Sequence, residues 1–235
     1  MDPQHLTALN AARAARRAVM LITDLTSGTE RVVFEGAVVD DGLAEAVTSA
    51  FRSGKSAAID SATASFFLNV HLPPPRIVVI GAVHISQALA ALAEIAGFDL
   101  QIIDPRTAFA TTDRFAGIDL VADWPEDVLK ARPLDTYTAL VAVTHDPKID
   151  DFPLAEALRR QCFYVGALGS RKTHAKRVER LLADGLSADQ IGRIAAPIGL
   201  DIGAATPAEI AVAILAEIIQ AFRRRSATSP AGDGA

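Results

Sequence analysis

From residue 76 onward, short apolar runs alternate with segments of helical periodicity, and that alternation restricts the fold more than any other feature of the chain. The runs are "RIVVI" at 76–80, "DLQIID" at 99–104, "IDLVA" at 118–122, "TALVAVT" at 138–144 and "CFYVGAL" at 162–168. Helical patterns over 84–96, over 171–184 and from Pro207 to about Phe222 lie between or after them. The pattern predicts an α/β fold: a Rossmann-like, doubly wound, mainly parallel sheet with right-handed crossovers and helices on both faces. The last helix is signed at its start, because "TPAE" places Thr206 at the N-cap, Pro207 at N1 and Glu209 at N3.

Pro73, Pro74 and Pro75 fit neither a helix interior nor a central strand, so the domain boundary is placed there. The expected organisation is a small N-terminal α/β module over 1–72, a Rossmann-like domain over 73–224 and a disordered tail over 225–235. Within the module, "AVMLITDL" and "RVVFEGAVV" are joined through Ser27, Gly28 and Thr29 as a hairpin. A short helix from about Gly42 to Phe51 and a strand "SFFLNVHL" follow.

Composition removes several classes of function. A net charge of −5 over 235 residues does not suit a surface built to neutralise the phosphates of nucleic acid, so no nucleic-acid partner is expected. The single cysteine, Cys162, rules out an internal disulfide framework and a cysteine-rich metal site, and its apolar neighbours assign it to the core. "EIAVAILAEIIQAF" is too short to span a bilayer and is interrupted by Glu217. The first residues lack the apolar stretch and cleavage site of a signal peptide, so the expected compartment is the cytoplasm.

In a doubly wound sheet, ligands bind beyond the carboxyl ends of the strands, where the strand order reverses. "GAVHIS" follows the first strand, but the dinucleotide spacing G-x-G-x-x-G is broken: Gly81 stands, while Val83 and Ser86 hold the other glycine positions. Asp104 lies 23 residues beyond Gly81, close to where an acid meets a ribose hydroxyl in NAD sites, and it equally suits a turn before Pro105. Arg106 can meet a phosphate or pair with Asp104. His84 and His145 end neighbouring strands and can face one crevice, there to bind metal, move a proton or donate to an oxyanion; either also suits an ordinary structural role. Together with the carboxylates they make no recognisable metal spacing. In "THDPKIDD", Asp146 can cap a turn, Asp150 or Asp151 can start a helix, and Lys148 can engage an anion or simply face solvent. In "GALGSRKTH", Gly166 and Gly169 permit close backbone approach and Ser170 can cap the next helix. Arg171, Lys172 and His174 put positive character at that helix start against its dipole, a cost that a bound phosphate or pyrophosphate would offset.

Taken in order, "PPPRIVVIGAVHISQALA", "DPRTAFATTDRF", "THDPKIDD", "YVGALGSRKTHAKR" and "APIGLDIGAATPAEIAVAILAEI" closely resemble the XdhC/CoxI family over about residues 73–223. These are accessory proteins of xanthine dehydrogenase and related molybdenum hydroxylases. The resemblance implies a maturation factor without catalytic turnover of its own. Such a factor binds molybdenum cofactor, as molybdopterin or its dinucleotide, and assists its sulfuration by a cysteine desulfurase. It then delivers the cofactor to a hydroxylase large subunit. Cofactor-binding positions carried over by motif are Gly81, His84, Asp104, Arg106, His145, Asp146 and Lys148, then Gly166, Gly169, Ser170, Arg171, His174 and Asp201; no catalytic or metal-ligating residue is assigned. Longer members carry cysteines and a Gly-Ser-x-Pro-Arg segment in an N-terminal domain, and residues 1–72 have neither. Two other readings stay open: an NAD(P)-dependent oxidoreductase using the Rossmann crevice, and an interaction scaffold with a vestigial nucleotide site. Apolar helices beside the sheet are compatible with a homodimer.

Overall fold

The computed structural model describes residues 2–39, 42–61 and 64–225. The chain divides into two compact units that part between Pro73 and Pro74, and the second runs to Phe222. The expected tail over 225–235 lies, apart from Arg225, outside the described residues.

The first unit is built from α1 (Pro3–Ala14), β1 (Val19–Asp24), β2 (Glu30–Phe34), α2 (Ala44–Ser53), β3 (Ala57–Asp60) and β4 (Ser65–His71). Its four strands form an antiparallel sheet in the order β2-β1-β4-β3. β1 is central and buries Val19, Met20, Leu21 and Ile22. Successive side chains of a strand point to opposite faces, so the sheet must be covered on both. Leu9 and Ala12 of α1 pack on Val19 and Leu21. Met20 and Ile22 share the other face with their register partners Val70 and Leu68, and α2 packs against β4. The β1–β2 hairpin turns as expected, with the Asp24 carboxylate accepting from the Thr26 and Ser27 N–H groups and Gly28 at φ 74°. α1 and β3 carry no strong sequence signal. α1 buries only Leu9 and Ala12, although Asp2 caps it by accepting from the Gln4 N–H and Pro3 opens it.

The second unit comprises β5 (Arg76–Ile80), α3 (His84–Ile95), β6 (Asp99–Ile103), β7 (Asp119–Val121), α4 (Pro125–Ala131) and β8 (Thr138–Ala142). It continues through α5 (Pro147–Arg159), β9 (Tyr164–Ala167), α6 (Arg171–Ala183), α7 (Ala188–Ile191), β10 (Ile194–Ala195) and α8 (Pro207–Arg224). Its six strands are all parallel in the order β10-β9-β8-β5-β6-β7, so the chain runs outward from β5 to one edge, crosses to β8 and runs to the other. This is the expected doubly wound Rossmann-like α/β sheet. One face packs Val78, Ile80, Leu140 and Ala142 against α4, α5, α6 and α7. The other packs Ile77, Val79, Ala139 and Val141 against α3 and α8. Coverage of both faces explains why "RIVVI" and "TALVAVT" are continuous apolar runs. Each fully buried Val, Leu or Ile among them contributes about 1.5–3 kcal/mol.

The final helix starts on the expected capping box: the Thr206 hydroxyl accepts from the Glu209 N–H at 3.3 Å and the Glu209 carboxylate accepts from the Thr206 N–H at 2.9 Å. Further along α8, the Glu217 carboxylate accepts from the Tyr164 hydroxyl at 2.6 Å and the Gly199 N–H at 2.8 Å, fixing the segment after β10 to β9. Tyr164 passes within reach of Gly166, where an added Cβ would lie 2.5 Å from the tyrosine oxygen and 2.7 Å from Ile198. Gly166→Ala is therefore expected to destabilise the protein by about 1–3 kcal/mol, read as a lower urea midpoint at unchanged m-value.

Candidate functional site

β5 and β8 are hydrogen-bonded neighbours with Ile80 opposite Ala142, so the loops that follow them leave the sheet side by side. Gly81 has φ +120°, and a Cβ there would lie 2.9 Å from Thr144 Cγ2 and 3.3 Å from the Thr144 nitrogen. The residue is glycine because the two loops touch at that point, and because side chains rarely accept this φ.

The turn after β5 is fastened from both sides. Asp104, at the end of β6, is 0% exposed; one carboxylate oxygen accepts from the Ala82 N–H at 2.7 Å and from Arg106 Nη2 at 2.8 Å. The other accepts from the Arg106 backbone N–H and Nε, each at 2.9 Å. Burial acts to raise its pKa, but the Arg106 and Ala82 hydrogen bonds outweigh it and hold the group below the ordinary carboxylate value. The structure pairs Asp104 with Arg106 and ties it to the turn at Ala82. Arg114 fastens the other side: its guanidinium donates to the Ala82 and Phe109 carbonyls and to Gln87 Oε1. Ser86 is buried and donates to the Gly81 carbonyl. No side chain caps α3 at Val83, and His84, its first residue, is exposed.

The loop after β8 is organised by a carboxylate inside the next helix. Asp146 is the N-cap of α5 and accepts from the Lys148 N–H at 3.0 Å, so the helix begins there and not at Asp150 or Asp151. Asp150 is 1% exposed and accepts from the Thr144 hydroxyl at 2.6 Å and the His145 N–H at 3.1 Å. These bonds hold His145 at φ 65°, uncommon for a residue with a side chain, and its imidazole is exposed. Burial pushes the Asp150 carboxyl up to about 6 against the lowering effect of Thr144 and Arg177. Lys148 is exposed.

After β9, Leu168 donates its N–H to the Ala142 carbonyl and Gly169 turns at φ +141°. Ser170 caps α6 by accepting from the Thr173 N–H at 3.2 Å. Arg171 and Lys172 are exposed on its first turn. Arg177, two turns in, is 2% exposed and reaches back to donate from Nη2 to the Leu168 carbonyl at 3.1 Å. The sequence gives it little prominence because an arginine among the other cations of a basic helix looks solvated; its placement three residues after His174 and four before the buried Leu181 is the available signal.

The adjacent loops after β6, β5, β8 and β9 thus bring together the ends carrying Asp104, Arg106, Gly81, His84, His145, Asp146, Lys148, Gly169, Ser170, Arg171 and His174. Asp201 lies in the loop between edge strand β10 and α8. Cys162 is buried in the core, and burial pushes its thiol far up, out of reach of ordinary titration. Among the described residues, no three His, Cys, Asp or Glu side chains gather as a metal site would require, and no helix is long and apolar enough to cross a membrane.

An open, all-parallel sheet whose connections diverge at a switch point defines a Rossmann-type domain. Residues 77–218 match the XdhC Rossmann domain, and the chain belongs to that family. It is 34% identical over 163 residues to a probable xanthine dehydrogenase subunit of Bacillus subtilis, covering 69% of this chain and 47% of that one. It is 31% identical over 147 residues to the molybdenum cofactor insertion chaperone PaoD of Escherichia coli, covering 62% and 40%. The chain therefore spans less than half the length of these curated relatives. A solved structure described as a xanthine dehydrogenase from Bacillus halodurans superposes with a TM-score of 0.64 at 25% identity, over 94% of this chain and 67% of that one.

Two carboxylates in the site give opposite pH signatures. Asp104 is more acidic folded than unfolded, so its contribution is present above the ordinary carboxylate range and is lost as pH falls through its depressed pKa. Asp104→Asn is expected to cost about 2–4 kcal/mol at neutral pH and progressively less in acid, measured by urea titrations across pH. Asp150 is less acidic folded than unfolded, so the folded chain holds more protons and stability falls as pH rises from about 4 to about 6. Asp150→Asn is expected to flatten that slope, removing a change of up to about 3 kcal/mol, whatever it does to absolute stability.

Proposed function

We propose that this chain is a maturation factor that binds molybdenum cofactor, assists its sulfuration by a cysteine desulfurase and hands it to the large subunit of a xanthine dehydrogenase-type molybdenum hydroxylase in the cytoplasm. The name of the PaoD relative supports the class of function. The observation that carries the reading on this chain is the remodelled switch point. Its strand-turn-helix architecture is kept, but the acid placed to meet a ribose is hydrogen-bonded within the protein to Ala82 and Arg106. Val83 also puts a side chain where close pyrophosphate approach requires glycine. Both features disfavour an ordinary NAD pose.

The residues present suit a ligand with an anionic end and a polar heterocyclic end. α3 offers an N-terminus without a side-chain cap, and α6 starts beside the exposed cations Arg171 and Lys172. The phosphate of molybdopterin, or the diphosphate of its dinucleotide, is the natural occupant of the α6 side. His84 and His145 stand exposed on the two touching loops and would meet the pterin and molybdenum end as hydrogen-bonding groups. Bound in this way the cofactor is cargo, and the chain orients and shields it.

Equilibrium binding of purified protein with molybdopterin cofactor, NAD and NADP in turn tests this reading, followed by transfer to an apo-hydroxylase. Cofactor retention is expected, with Arg171→Ala/Lys172→Ala weakening it about 10-fold or more through lost charge-assisted contacts. Tight NAD binding with no cofactor retained would overturn it.

A further inference from the structure

Phe109 is an aromatic side chain fastened in place at the surface. The Arg106 guanidinium lies over its ring, with the central carbon 4.7 Å from the ring centroid, yet the residue stays 44% exposed. A phenyl group left in water gains little from burial and is ordinarily free to change rotamer. Three sets of contacts restrain this one. The Phe109 and Ala110 N–H groups both donate to the Arg106 carbonyl, at 2.9 and 3.1 Å, and this tight turn brings residue 109 back toward residue 106. The Arg106 guanidinium is itself pinned at Nε and Nη2 by the buried Asp104 carboxylate. The Phe109 carbonyl accepts from Arg114 Nη1 at 2.8 Å.

The same contacts set the pair beside the switch point. Arg114 Nη1 donates to the Ala82 carbonyl as well as to that of Phe109, and one Asp104 oxygen accepts from both the Ala82 N–H and Arg106 Nη2. Phe109 is thus tied by two routes to the turn that leads into His84. The charges of Asp146 and Asp150, on the far side of the switch point, help to hold Arg106 protonated, so its guanidinium stands within electrostatic reach of the loop after β8. The Arg106 side chain is 31% exposed, and Asp104 already satisfies its charge. What the pair offers a ligand is therefore flat π surface, restrained in advance, and such surface suits a planar heterocycle better than an anion.

We propose that Arg106 and Phe109 form a stacking platform for a planar heterocycle of the bound ligand. The identity of that ligand rests on the maturation-factor reading, which the platform deepens by naming the residues that hold the ring. In the strand order β9-β8-β5-β6, the start of α6 and the platform stand on opposite sides of the β5–β8 switch point. A molecule with its phosphate on the α6 side would run past His145 and His84 toward Phe109. Two rings share this chemistry: the pterin, and the nucleobase of the dinucleotide form.

Equilibrium binding of the full chain to 6-hydroxymethylpterin, CMP, GMP, molybdopterin cofactor and its dinucleotide form tests the platform. The variants are Phe109→Leu, which keeps apolar bulk but loses the ring, Phe109→Trp, which enlarges it, and Phe67→Ala, a control at another exposed aromatic on β4; each is first shown to keep the wild-type urea midpoint. Wild type, Phe67→Ala and Phe109→Trp are expected to bind cofactor, and Phe109→Leu to bind it about 10-fold more weakly, with the quenching of pterin fluorescence on binding reduced in parallel. Loss in Phe109→Leu shared by free pterin and both cofactor forms identifies the pterin as the stacked ring. Loss confined to CMP, GMP and the dinucleotide form identifies the nucleobase, and either result upholds the platform. Unchanged binding of every ligand in Phe109→Leu would overturn the platform and leave the maturation reading standing. Nucleotide binding that depends on Phe109, in a chain that retains neither cofactor form, would overturn the maturation reading and leave the platform.

Discussion

The parallel pairing of β5 with β8 is the constraint on which the site depends. The chain leaves these two strands in opposite directions, toward β6 on one side and β9 on the other, and a crevice opens between the departing connections. Their side chains are buried on both faces, so neither strand can slip in register without exposing apolar surface or burying the wrong residue. Fixed strands then fix the loops. Gly81 and Thr144 meet across the switch point at a separation only glycine permits, and each loop is locked from below by one buried carboxylate, Asp104 on one side and Asp150 on the other.

The two carboxylates do the same architectural job with opposite electrostatics. Asp104 has a guanidinium in direct contact and stays readily ionised despite complete burial. Asp150 has only a hydroxyl and a backbone N–H in contact, with Arg177 acting from further away, and its carboxyl is correspondingly harder to ionise. The distinction bears on the ligand side. Arg106 is neutralised by Asp104 and stacks over Phe109, its centre 4.7 Å from the ring, so it is poorly placed to serve as an anion receptor.

The parallel sheet was legible because burial on both faces leaves long apolar runs in the sequence, and its helices because they fall in the connections between those runs. The elements that escaped notice bury little: β3 is an edge strand with mostly exposed side chains, and β10 is two residues long. Loop positions were legible by their distance from a strand end, but partners were not. Asp104 stands where a ribose-binding acid would, yet its hydrogen bonds go to Ala82 and Arg106, and the first of these exists only when β6 lies beside β5. Arg177 was hidden for a related reason, since a charged residue in a basic helix signals exposure until the neighbouring loops are packed over it.

α3, α5 and α6 all begin at this edge of the sheet, and their N-termini are treated differently. α5 is capped by Asp146, a full negative charge, and so has least to offer an anion. α6 is capped by the neutral hydroxyl of Ser170, which satisfies one N–H and leaves the dipole uncancelled. α3 has no side-chain cap. A negatively charged side-chain cap is thus present at α5 and absent at α3 and α6, with exposed His145 just before Asp146. A ligand with one anionic end and one hydrogen-bonding end has a preferred orientation in such a field before any shape complementarity is considered.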